Sequence, residues 1–201
     1  TTLTVGIALA ALTPAALAAV EKGTARVRSA QGAAEVALDG VSWSALHVGA
    51  ELLDGATLKT GDDGLVELDL GVNGNALRVL PNSVVTFSAL TFENTTVEAV
   101  VNTQIDLTAG RVVGSVHKLS AASKYEVHTP AVTAGIRGTR YDISANGQVV
   151  VGEGSVVVVA EREDGSMITR VVNAAELFSP VSGQVMPATE QELSQVGAPS
   201  S

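Results

Sequence analysis

KYEVHTPAVTAGIRGTRYDISANGQVVVGEGSVVVVA, running from Lys124 to Ala160, is the stretch whose reading decides the fold. β-Branched residues and turn residues recur in it too densely for a helix, and a series of short strands accounts for both. Tyr125 and Val127 alternate with Glu126 and His128, and Tyr141 and Ile143 alternate with Arg140, Asp142 and Ser144. That is the period of a strand with one wet face. Asn146-Gly147 supplies two residues that tolerate positive φ, which predicts a hairpin closed by a type I′ turn. After the pivot Gly152-Glu153-Gly154, the unbroken run Val156 to Val159 predicts a strand covered on both faces.

The same rhythm continues outward in both directions. Thr24 to Ser29 and Ala33 to Leu38 flank Ala30-Gln31-Gly32 and read as a pair of strands with a tight connection. Trp43, the only tryptophan, is expected to plug one end of the core with its indole N–H on a backbone carbonyl. Asp62 and Asp63 lie in a Gly-bounded turn and read as acids bonding their own backbone in preference to calcium ligands. Val66, Leu68 and Leu70 make a dry face opposite Glu67 and Asp69. Thr91 to Thr103 is the least regular segment and reads as an edge or an excursion; Arg111 to Val116 is another strand, and His117 to Ser123 a surface loop. Met167 to Val172 reads as the last strand, because Pro180, Pro187 and Pro199 keep central strands out of the tail. Thr189 with Glu192 forms a capping box for a short helix ending near Val196.

Turns arriving after about eight to twelve residues define an all-β domain. The expected architecture is a β-solenoid-like roll or twisted sandwich of many short strands with a short C-terminal helix. An antiparallel jelly-roll-like sandwich is the alternative. Three segments follow: residues 1–19 as a signal peptide or apolar N-terminal arm, 20–173 as the β domain, and 174–201 as a tail carrying the helix. The uncharged LTVGIALAALTPAALAA and its Ala16-Leu17-Ala18 pattern fit a secretory signal cleaved after Ala18. A membrane anchor is the rival, but Pro14 interrupts a stretch of marginal length.

Composition narrows the function. The 201 residues suit one well-buried domain, and the absence of cysteine excludes disulfides and thiolate metal sites. A formal charge of −9 argues against a phosphate-neutralising surface, so nucleic acid is not an expected partner. With 46% hydrophobic but only 3% aromatic residues, the core is aliphatic and stacking platforms are scarce. His47, His117 and His128 have no metal-ligand spacing, no serine sits in a nucleophile elbow, and no Gly-rich loop opens a helix. No catalytic residue, metal or cofactor is expected, and the chain does not read as an enzyme. Arg137 and Arg140 are expected to brace a glycine corner by bonding carbonyls or pairing with Asp142 and Glu153. The alternative makes them a partner contact, an exposed fork for an acidic segment.

TPAVTAGIRGTRYDIS (129–144), followed by VVGEGSVVVVA (150–160), resembles the core signature of the FecR domain family. SWSALHVGAELLDGATLKTGDDGLVELDL, NALRVLPNSVVTFSAL and IDLTAGRVVGSV are similar to that domain's first half, in the same order, so the resemblance runs from Gly23 to Val172. It implies an extracytoplasmic domain of the kind found in bacterial iron-uptake regulators. Pro130, Gly135, Arg137, Gly138, Thr139, Gly152 and Gly154 then form its fold-signature corner. Regulators of that family also carry a cytoplasmic sigma-factor-binding arm. About twenty residues precede the β region here, so such an arm and direct sigma-factor control are not expected. The expected function is a secreted or periplasmic, non-enzymatic interaction or sensing module of the bacterial cell envelope, with a protein partner. The alternative is a structural extracellular protein that self-associates into filaments or a coat through strand edges and the apolar arm. Membrane contact is expected only through that arm, if it is not cleaved.

Overall fold

The computed structural model describes residues 19–162 and 164–197. The expected leader therefore lies outside the described residues but for its last position. The described chain forms β1 (Val20–Lys22), β2 (Ala25–Gln31), β3 (Ala34–Ala37), β4 (Trp43–Ala45), β5 (Glu51–Leu52), β6 (Thr57–Thr60), β7 (Leu65–Asp69), β8 (Ala76–Val79), β9 (Val84–Asn94) and β10 (Ala99–Ala109). It continues as β11 (Arg111–Ser115), β12 (Lys124–His128), β13 (Val132–Ile136), β14 (Arg140–Ser144), β15 (Val149–Glu153), β16 (Ser155–Glu161), β17 (Met167–Asn173), β18 (Glu176–Ser179), β19 (Gln184–Pro187) and the helix α1 (Glu190–Gln195).

Two sheets pack face to face. The first has the order β17-β16-β13-β12-β10-β9-β6-β3-β4, with β1 beside β9; the second has the order β19-β18-β15-β14-β11-β8-β7-β2-β5. β10 and β12 pair in parallel, and the other pairings are antiparallel. The fold is thus an all-β twisted sandwich. From β7 onward the chain lays a hairpin on one sheet, crosses, and lays the next on the other, with the single strand β11 the exception. This alternation explains why the sequence rhythm suits a solenoid while the pairing does not.

Inward positions fill the space between the sheets, as the alternation predicts. Val66, Leu68 and Leu70 are buried, together with Leu77, Phe87, Ile105, Leu107, Ile143 and Phe178. Tyr125 from the first sheet and Tyr141 from the second meet edge to face, with ring centroids 6.4 Å apart and hydroxyls 3.0 Å apart. Gly114 on β11 makes room for them, since a Cβ there would lie 2.2 Å from Tyr141 Cζ.

Several local expectations are corrected. The Gly32 connection does not join a hairpin: β2 pairs in the second sheet and β3 in the first, so it is a crossing. Asp63 caps that crossing by accepting from the Ala33 N–H at 3.0 Å, and not from its own turn. The β14–β15 hairpin forms, but Asn146 is not among the residues with positive φ and Gly147 (φ 93°) is. Gly147 N–H donates to the Ser144 carbonyl at 2.8 Å, so a three-residue loop with a left-handed glycine replaces the type I′ turn.

The run Val156 to Val159 is covered on one face only. Val156 and Val158 are buried while Val157 is 44% exposed, because among the described residues no layer covers that side of the first sheet. Trp43 does not plug the core; it lies on the outermost strand β4, 44% exposed, with Lys59 Nζ 5.0 Å from its ring centroid. Nor is β17 the last strand, since β18 and β19 extend the second sheet. Pro180 directly follows β18, and Pro187 ends the edge strand β19, where a missing N–H is tolerated. The irregular Thr91 to Thr103 segment becomes the outer end of a hairpin between two 11-residue strands.

Candidate functional site

The signature glycines meet where the chain crosses between the sheets. Gly138 (φ 71°) turns β13 into β14, and Gly154 (φ 80°) turns β15 into β16. A Cβ on Gly154 would lie 2.3 Å from the Gly138 carbonyl oxygen, so the corners are in contact and only glycine fits. Thr139, 2% exposed, ties them together: its Oγ1 donates to the Ser155 carbonyl at 2.8 Å, and its backbone exchanges two 3.0 Å bonds with Val116.

Other residues of the expected corner lie elsewhere. Pro130 is exposed in the β12–β13 turn. Gly135 sits inside β13 with an ordinary strand φ, opposite Val157 and Glu126. Gly152 lies on β15, where a Cβ would come 2.8 Å from Val196 Cγ1. Arg137 donates Nε to the Leu119 carbonyl at 3.2 Å, whereas Arg140 Nε lies 2.9 Å from Glu153 Oε2. The two arginines hold different groups and are not drawn into one fork. Asp142 pairs instead with Arg111, the residue that opens β11.

Arg111 and Asp142 fasten α1 to the outer face of the second sheet. Asp142, 2% exposed, receives Arg111 Nε at 2.6 Å and a second bond from the same guanidinium, which also donates to Gln195 Oε1 at 2.6 Å. Burial pushes the Asp142 carboxyl above the usual carboxylate range, with the guanidinium pulling the other way. Beside this pair, a small cavity of about 80 Å³ is lined by Ser144, Gln148 and Glu192. Val150 and Leu177 on the sheet close over Leu193 and Val196 of the helical segment, forming a second small core. The expected capping box is present: Thr189 Oγ1 accepts from Glu192 N–H at 3.3 Å, and Glu192 Oε2 accepts from Thr189 N–H at 2.8 Å. That capping box and the apolar pair Leu193 and Val196 were the available signals for this docking. Nothing in the sequence pointed to Arg111.

Among the described residues, no element covers the outer face of the first sheet. One rung across it reads Gln104, Glu126, Gly135, Val157, Val171; the next reads Asp106, His128, Thr133, Val159, Thr169. Val157 is 44% exposed, Val171 53% and Met167 62%. The rungs turn polar toward β10. His128 Nε2 lies 2.7 Å from Glu126 Oε2 and Nδ1 3.5 Å from Asp106 Oδ1, while Ser88 Oγ donates to Asp106. Burial disfavours the Glu126 carboxylate, but the bonds from His128 and Lys124 outweigh it and hold the group below its ordinary value. Ser88 bonds the carboxylate and not the imidazole, so this row lacks the nucleophile-to-base contact of acyl transfer. Among the described residues, no group of three or more His, Asp or Glu side chains is placed to hold a metal ion. His117 bonds Asn75 at 3.0 Å and His47 is exposed, so the three histidines do not converge.

Among the described residues, the two-sheet sandwich has α1 against the outer face of one sheet and no element against the outer face of the other. The family described as FecR protein matches residues 56–157. The chain belongs to the FecR family, whose domains are of a sensing and regulatory kind and are generally associated with the cell envelope. The match takes in the crossing at Gly138 and Gly154 and ends at Val157, short of β17, β18, β19 and α1. No curated protein and no solved structure matches the chain. Among the described residues no helix is long and apolar enough to cross a membrane.

Proposed function

We propose that the chain is a secreted or periplasmic, non-enzymatic module that works by binding a protein partner, in a sensing or regulatory role. The observation that carries this reading is the asymmetry of the two outer faces. α1 covers the apolar patch of the second sheet, whereas Val157, Val171 and Met167 of the first stand in solvent. Aliphatic side chains left open on one outer face, while α1 covers those on the opposite one, support a binding role. The formal charge of −9 supports a protein partner over nucleic acid.

Self-association through strand edges is less well served. The edge strands β4, β5 and β19 have 3, 2 and 4 residues, and β19 ends in Pro187. The longest edge, β17, carries Arg170 between the inward-facing Ile168 and Val172, a charge that opposes a further strand. A photoreactive residue at position 157 of the full chain, activated in the native cell, tests the reading. A discrete adduct with a second protein in the extracytoplasmic fraction is expected. Adducts only with the chain itself would assign it to assembly, and a cytoplasmic location would overturn the module.

A further inference from the structure

Among the described residues, two strand glycines lie on outer faces, and one explains the other. Gly152 on the second sheet exists beside Val196: a Cβ there would press to 2.8 Å against that side chain, so the bare backbone is the seat on which the helical segment rests. Gly135 on the first sheet has no internal reason of that kind. Its φ is that of an ordinary strand, and the nearest atom to a Cβ would be the Val157 carbonyl oxygen at 3.7 Å, an ordinary contact. Glycine inside a strand weakens it unless another group approaches the backbone closely. Val157 and Val171 continue the rung on one side of this notch, as Val150 and Leu177 neighbour Gly152. Glu126 stands on the other side, Asp106 on the adjoining rung and Glu161 at the far end opposite Met167.

We infer that the notch at Gly135 is the seat for a short amphipathic helix of a protein partner, with one aliphatic side chain over Gly135, neighbours on Val157 and Val171, and lysine or arginine facing Glu161. The inference rests on the binding-module reading and specifies what binds. Helical form follows from the seat the molecule already uses on its other sheet. Glu126 is already held by Lys124 and His128, so basic character follows from Glu161, which makes no ion pair among the described residues, and from the net charge of −9, which also opposes a second copy of this chain on the same face.

The test uses the full chain and a synthetic helical peptide with leucines along one face and lysines along its borders, against a peptide of identical composition in scrambled order. The amphipathic peptide is expected to bind tighter and to shift the amide resonances of Gly135, Val157 and Val171, leaving those of Val150 and Gly152 in place. Gly135→Ile, which fills the notch with a strand-forming residue, is expected to weaken binding about tenfold. Gly135→Ala is expected to weaken it less without lowering the melting temperature. Equal binding of both peptides, or undiminished affinity in Gly135→Ile, overturns the inference. So does concentration-dependent dimerisation that Val157→Asp abolishes, because a second copy then owns the face. An adduct with another protein from position 157, together with failure of the peptide, would keep the module and discard the helical occupant.

Discussion

The hydroxyls of Tyr125 and Tyr141 meet 3.0 Å apart inside the sandwich, one reaching in from each sheet. Each satisfies the other, so removing one strands its partner in an apolar interior. Tyr125→Phe and Tyr141→Phe should each destabilise by about 1–3 kcal/mol, the desolvation penalty of an unpaired buried hydroxyl. The double variant should lose less than the sum, a coupling that urea unfolding of the four proteins measures.

The same pair sets the alkaline limit of the fold. Burial raises both phenols above their ordinary value of 10.0. A folded pKa raised above the unfolded one means that the contribution to stability is complete below the unfolded value and is lost as pH rises toward the folded one. Stability should therefore fall steeply above pH 10, and less steeply in the double phenylalanine variant. Denaturant midpoints from neutral to alkaline pH check this.

Glycines that look alike in the sequence should respond with opposite signs. Gly135→Ala should stabilise by about 0.5–1 kcal/mol, since a strand alanine gives up less entropy than glycine, and should raise the melting temperature by about 2 °C. Gly114→Ala should destabilise by about 1–3 kcal/mol or more, because the new Cβ overlaps Tyr141 in a close-packed core. Gly152→Ala should lift α1 and leave the sandwich folded. Calorimetry ranks the three, and hydrogen exchange at Val196 reports the third.

Arg111→Met should cost about 3 kcal/mol, because it leaves the buried Asp142 carboxylate without a cation. Pairing it with Asp142→Leu should recover most of that loss. Thr189→Ala should cost about 1 kcal/mol as a lost N-cap, felt locally in α1. Exchange rates of the α1 amides separate local release from global unfolding.

Much of this architecture is legible in local pattern. Alternation placed Tyr125, Val127, Tyr141 and Ile143 inside, and Thr189 with Glu192 marked the helix start, because these signals involve neighbours two to four residues apart. The sheet that each strand joins is not local information. The connection at Gly32 needs positive φ whether it closes a hairpin or crosses the sandwich, and only the long-range pairing of β2 with β7 decides. Val156 to Val159 misled for a related reason: an apolar residue on an uncovered face reads the same as one in the core. The open face with Val157 and Val171 beside Gly135 is likewise a long-range property, since it depends on which sheet α1 packs against. Asp142 reads as a wet-face residue until Arg111, 31 positions earlier, is brought beside it.

Because each sheet grows almost in chain order from β4 or β5 toward β17 or β19, every new hairpin finds its partner strand already made. Such a body can be assembled vectorially as it leaves a ribosome or a translocation channel, with few long loops to close. Shortening it from the C-terminal side would remove terminal shingles while the older courses kept their neighbours.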